Sequence, residues 1–144
     1  MKLLEKLINL HGISGNEHQV RQFIFKEAKK HLRDVKVDNM GNVIARKKGK
    51  SPPVILLAHM DEIGLIVHSI DKDGKIYITN MGGIDAPILL GHRVEIPTKS
   101  GHVTGIITNN DALNDTDQNE KIIMEKLFVY TGLSKKELDK KGIK

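Results

Sequence analysis

His59, Asp61 and Glu62 stand together inside a stretch that is otherwise mostly apolar, Val54 to Val67, VILLAHMDEIGLIV. An imidazole nitrogen can hold a divalent ion, and a carboxylate nearby commonly fixes the other ring nitrogen or the ring plane. On an extended chain residues 59 and 61 point to one side and residue 62 to the other. A His-x-Asp pair at a strand end therefore suits a metal ligand, His59, with its orienting partner, Asp61. The same pair also suits a histidine that is merely hydrogen-bonded, because so short a motif specifies function loosely.

The elements around the pair must position it. Val54–Ala58 runs apolar without alternation, the pattern of a strand buried on both faces in an α/β sheet. Ligand sites in such sheets gather at the carboxyl ends of strands, where residues 59–62 would fall. Upstream, Leu3, Leu4, Leu7 and Ile8 repeat at helical spacing, which predicts a short amphipathic helix over residues 2–10. Ser14 and Glu17 match a capping box, and Val20, Phe23, Ile24, Ala28 and Leu32 mark one face of a second helix. Asp34–Ala45 reads as two short strands around an Asn-Met-Gly turn. Pro52-Pro53 cannot sit inside a ladder, so residues 47–53 read as a loop.

Past residue 68 the pattern changes to short strands with glycine-rich turns. Ile76 and Ile78 alternate with Tyr77 and Thr79. Arg93–Pro97 and His102–Thr108 flank Thr98-Lys99-Ser100-Gly101, read as a four-residue hairpin connection, and Leu127–Tyr130 forms a further strand. Ser134 and Glu137 make a second capping-box match, with Gly142 as the helix stop. These features predict a small β-barrel with one helix. Its polar residues form no compact cluster typical of a site, so its role is read as packing and assembly.

The chain of 144 residues carries a net charge of +5, yet no aromatic residue alternates with its lysine clusters to stack bases, and nucleic acid is not expected as a partner. It contains no cysteine, which excludes disulfides and thiolate metal sites and fits a reducing, cytoplasmic setting. Glu5, Lys6 and Asn9 interrupt any signal-like apolar run, and no stretch reaches the ~18 apolar residues of a membrane span.

The stretch AHMDEIGLIV, with GISGNE upstream and VDNMGNVIA between them, resembles the family of tetrahedral (TET) and glutamyl aminopeptidases, also labelled FrvX-like or endoglucanase M. The resemblance continues through DKDGKIYITNMGGID, GHRVEIPTKSGHVTGII and LFVYTGLSKKELDKKGIK. The resemblance is weakest over residues 109–125, which are polar. Ala58–Gly64 is the most specific part.

The resemblance implies a fold: the N-terminal part of an α/β two-metal exopeptidase domain with a mixed sheet over residues 1–68, then an incomplete, PDZ-like inserted β domain over 69–144. It implies that His59 is a ligand of one of two divalent ions, zinc or cobalt, and that Asp61 clamps its ring. The other ligands and the general base, a glutamate, lie beyond the inserted domain in the family. His68, His92 and His102, with Asp85, Asp111, Asp115 and Asp117 near them in sequence, lack the spacing of a second ligand to His59. The expected function is that part of a metal-dependent aminopeptidase acting on peptide N-termini, inactive by itself, and assembling as a homo-oligomer from dimer to dodecamer. The alternative is a non-catalytic homologue or binding module. A glycosidase fits less well, since the adjacent Asp61 and Glu62 point to opposite faces.

Overall fold

A helix that places leucines three and four apart forms at once from residue 2, and α1 spans Lys2–Ile8. Its end is closed by Asn9, whose Nδ2 donates to the Glu5 carbonyl at 2.6 Å. The computed structural model describes residues 2–110 and 121–144. They divide into two compact units, Met1–Glu62 and Ile63–Lys144.

In the first unit, α2 spans His18–Lys29 and buries Val20. Its N-cap is Glu17, so the capping box expected from Ser14 and Glu17 is not formed. The Glu17 carboxylate instead accepts from the Gly15 amide at 2.6 Å, which occupies it in the preceding turn. α2 lies against β1 (Asp34–Val37) and β2 (Val43–Arg46), an antiparallel pair in the register Asp34 to Arg46 and Val37 to Val43. Asp38 closes the turn between them. Its Oδ1 accepts from the amides of Met40 (3.0 Å) and Asn42 (2.8 Å), the Asx arrangement that makes Asp favourable in turns.

The buried strand expected at Val54–Ala58 is not there. The segment is irregular, and Leu56 and Leu57 are 92% and 91% exposed. An apolar run becomes a strand only when a neighbour completes its ladder, and no described strand pairs with residues 54–58. The one parallel pairing among the described residues is the isolated bridge between Ile13 and Glu62.

Among the described residues the second unit holds a five-stranded antiparallel sheet: β3 (Gly64–Ile70), β4 (Ile76–Met81), β5 (Arg93–Thr98), β6 (Gly101–Thr108) and β7 (Phe128–Tyr130), in the order β3-β4-β7-β6-β5. The division between units falls at Glu62/Ile63, not after residue 68. The reason is that Gly64–Ile70 is a full strand paired to Ile76–Met81, so it packs with the strand C-terminal to it. Among the described residues β3 and β5 form the sheet's two edges, with no pairing that closes a ring.

Alternation decides what each strand buries. Val103 and Ile107 of β6 and Ile76 and Ile78 of β4 face the core, joined by fully buried Leu127 and Leu138. The β5–β6 hairpin is tighter than the sequence suggested. Thr98 pairs with Gly101, leaving Lys99 and Ser100 as the connection, because Gly101 adopts φ 131°, which a residue with a Cβ rarely does.

Among the described residues the unit's α-helices are α3 (Ala86–Leu89) and α4 (Lys135–Lys140), both short. The capping box at Ser134 forms: its amide donates to Glu137 Oε2 at 2.9 Å and its hydroxyl to the same oxygen at 2.6 Å. At the other end Gly142, at φ 80°, lets its own amide reach the Asp139 carbonyl (3.0 Å) and the Ile143 amide reach Leu138 (3.1 Å). That C-terminal motif turns Ile143 back into the core beside Leu138.

Candidate functional site

The first unit ends in a loop clasped onto a loop. The Glu62 amide donates to the Gly12 carbonyl at 2.8 Å, and the Gly12 amide donates to Glu62 Oε1 at 3.3 Å. The Glu62 carboxylate is therefore engaged in holding the two loops together. Gly12 packs directly beneath: a Cβ there would lie 2.7 Å from Val20 Cγ2 and 3.4 Å from the Met60 carbonyl oxygen. The segments around residues 12–15 and 59–62 are thus held to each other and to α2.

On this support His59 and Asp61 meet, although no strand carries them. His59 Nδ1 lies 2.9 Å from the Asp61 carbonyl oxygen and 3.1 Å from Asp61 Oδ1. Both partners are acceptors, so Nδ1 is the nitrogen that donates, and in the neutral form of the ring the lone pair falls on Nε2. The His59 side chain is 85% exposed, so that nitrogen is open to a ligand. The second oxygen of Asp61, Oδ2, accepts from Ser14 Oγ at 2.5 Å. The Ser14 hydroxyl, and after it the His59 ring, hold the Asp61 carboxyl below its ordinary value. Asp61 is ionised at neutral pH and aligned through both of its oxygens. A pocket of about 220 Å³ opens beside the pair, walled in part by Glu17, Arg21, Asn42 and Met60.

The other candidates are placed elsewhere. His68 lies on β3, His92 precedes β5, and His102 on β6 faces Glu95 across the hairpin at 3.9 Å; all belong to the second unit. Asp85 stands at the N-cap position of α3 without a side-chain capping bond, and Asp111, Asp115 and Asp117 lie outside the described residues. No group of three His, Asp or Glu side chains able to hold a metal ion is gathered among the described residues. Catalytic zinc sites use three protein ligands. The described residues alone do not fit a metal ion: they offer one imidazole and the carboxylate that orients it. Ser14 was missed by sequence reading, which assigned its hydroxyl to a helix cap.

Comparison with known proteins gives this geometry a setting. Residues 41–144 match the family model described as M42 glutamyl aminopeptidase. A lysyl aminopeptidase of Pyrococcus furiosus is 36% identical over 140 residues, covering 94% of this chain and 40% of that protein. A TET aminopeptidase of the marine sediment archaeon Thaumarchaeota archaeon SCGC AB-539-E09 superposes with a TM-score of 0.90 at 32% identity, over 100% of this chain and 41% of its own. The TET1 peptidase of Pyrococcus horikoshii, described as able to assemble into a tetrahedron or a large octahedral shell, superposes with a TM-score of 0.80 at 33% identity. It covers 93% of this chain and 41% of its own. The chain spans about two fifths of the length of the relatives it matches.

Proposed function

This chain belongs to the M42 glutamyl aminopeptidase family, and from that premise we propose that it is the N-terminal part of a metal-dependent aminopeptidase removing residues from peptide N-termini. His59 donates Nε2 to one of two divalent ions, zinc or cobalt, and Asp61 fixes the ring. The observation that carries this reading is the state of the imidazole. Its Nδ1 is tied to two acceptors of Asp61 while Nε2 has no partner among the described residues, which is the arrangement of a ligand histidine with its orienting carboxylate.

The chain covers 40% of its lysyl aminopeptidase relative, and a protein of that length would supply the remaining ligands and the base. The exposed run Val54–Leu57 supports that view, because it has the composition of a buried strand and no described neighbour. The chain alone is accordingly expected to be inactive. The second unit, an open five-stranded sheet among the described residues, takes the place of the family's PDZ-like insert and serves assembly into a homo-oligomer, the Pyrococcus horikoshii peptidase being one that can assemble into a tetrahedron or a large octahedral shell. No helix among the described residues is long and apolar enough to cross a membrane. The cytoplasmic placement rests instead on the cysteine-free sequence, and the expectation of no nucleic-acid partner on lysine clusters without interleaved aromatics.

The test is hydrolysis of an aminoacyl-anilide by a protein extended to the length of its relatives. Wild type turns over, and His59→Ala loses more than about a hundredfold in kcat/KM together with one bound ion per site. Full activity in His59→Ala would overturn the assignment.

A further inference from the structure

We propose that Ser14 is a positioning residue for the His59 imidazole, acting through Asp61. The inference deepens the reading of His59 as a metal ligand and rests on it for its consequence, though not for its geometry. Ser14 lies 47 residues from Asp61 in sequence, and its hydroxyl is spent on Asp61 Oδ2, not on capping α2, whose N-cap is Glu17.

That bond has a specific effect. The terminal torsion of an aspartate is a broad, roughly two-fold rotor. A single bond from His59 to Oδ1 leaves the carboxylate plane free to swing. A second bond on Oδ2 from a fixed donor sets the plane, and with it the direction in which Oδ1 meets Nδ1. The donor is fixed because its own segment is pinned. Ile13 bridges Glu62, and Gly12 exchanges two hydrogen bonds with the same residue. At 41% side-chain exposure Asp61 has water at hand to replace a lost partner, so the serine supplies direction as well as a bond. The serine thereby favours the tautomer that leaves Nε2 unprotonated for a ligand.

The tautomer is measurable on the chain without metal. Long-range proton–nitrogen correlation spectra of the 15N-labelled chain, at about pH 9 where an imidazole is neutral, report which ring nitrogen carries the proton. Wild-type His59 should be predominantly protonated on Nδ1. Ser14→Ala should lower the ratio of Nδ1–H to Nε2–H forms by about three- to tenfold, the scale of one hydrogen bond lost or weakened, with the amides of Val20 and β1–β2 unmoved. Ser14→Thr, which keeps a hydroxyl, should restore it.

A wild-type ring protonated mainly on Nε2 would overturn the proposal without any variant. So would an unchanged ratio in Ser14→Ala, and that result would leave the aminopeptidase reading intact. Conversely, an inactive full-length protein with a serine-dependent tautomer would refute the activity and keep the positioning role.

Discussion

Gly12 is the point at which the support of the site is tightest, and replacing it with alanine tests that packing directly. The added Cβ would sit 2.7 Å from Val20 Cγ2, and carbon pairs rest at about 3.5–4.0 Å, so roughly 1 Å must be found. Val20 is buried on α2 and cannot swing into solvent. Forcing a methyl into such a place costs about 1–3 kcal/mol. Val20→Ala alone removes two methyl groups, worth about 0.8 kcal/mol each. In the double variant the new methyl enters the space that Cγ2 vacates. The alanine also restricts the unfolded chain, a gain of about 0.4–1 kcal/mol where the backbone conformation suits it. Gly12 is not in the left-handed region, so that gain applies. The double variant should therefore be no less stable than Val20→Ala, and the coupling between the two changes should reach about 1 kcal/mol or more. Urea unfolding, read as a shift in midpoint at constant slope, measures all three proteins. Strictly additive costs would show that Gly12 does not pack on Val20.

Other outcomes are equally specific. Leu138→Ala, which empties a fully buried position in the core of the second unit, should cost about 2–5 kcal/mol, lowering its thermal midpoint by at least about 8 °C in a calorimetric scan. Acid should weaken the protein through Glu137 and Asp38, whose carboxyls are held below their ordinary values of 4.5 and 3.8 chiefly by the side chains of Ser134 and Asn42. Their stabilisation is complete above those ordinary values and is lost as pH falls through the lower folded ones. Glu137→Gln should accordingly flatten the decline in urea midpoint between about pH 5 and pH 3, and an unchanged slope would refute the assignment. The exposed run at Val54–Leu57 should drive self-association, so a Leu56→Lys, Leu57→Glu variant should sediment closer to monomer than wild type with its folded spectrum retained.

Local signals in the sequence were readable because their partners are close along the chain. The Ser134–Glu137 box, the Gly142 stop and the Asn39-Met40-Gly41 turn each involve residues within a few positions, and each formed. The His59–Asp61 contact was equally local, and two residues of spacing were enough to bring the groups together. Ser14 shows the limit. Its spacing to Glu17 matched a cap, but a hydroxyl goes to the best acceptor in space, and Asp61 is 47 residues away. Val54–Ala58 shows another. Its composition is that of a buried strand, whereas a strand is a property of two partners, and composition names only one. The hairpin at Lys99–Ser100 closed two residues tighter than read because the φ of a single glycine decides the turn.

The central claim is that these 144 residues contribute one ligand, His59, to a site completed by sequence beyond them. Zinc calorimetry on the chain and on a protein extended to its relatives' length tests it most directly. No tight stoichiometric binding is expected of the chain, against two tightly held ions per site in the extended protein and the loss of one of them in extended His59→Ala. Tight binding by the 144 residues, or two ions retained without His59, would contradict it.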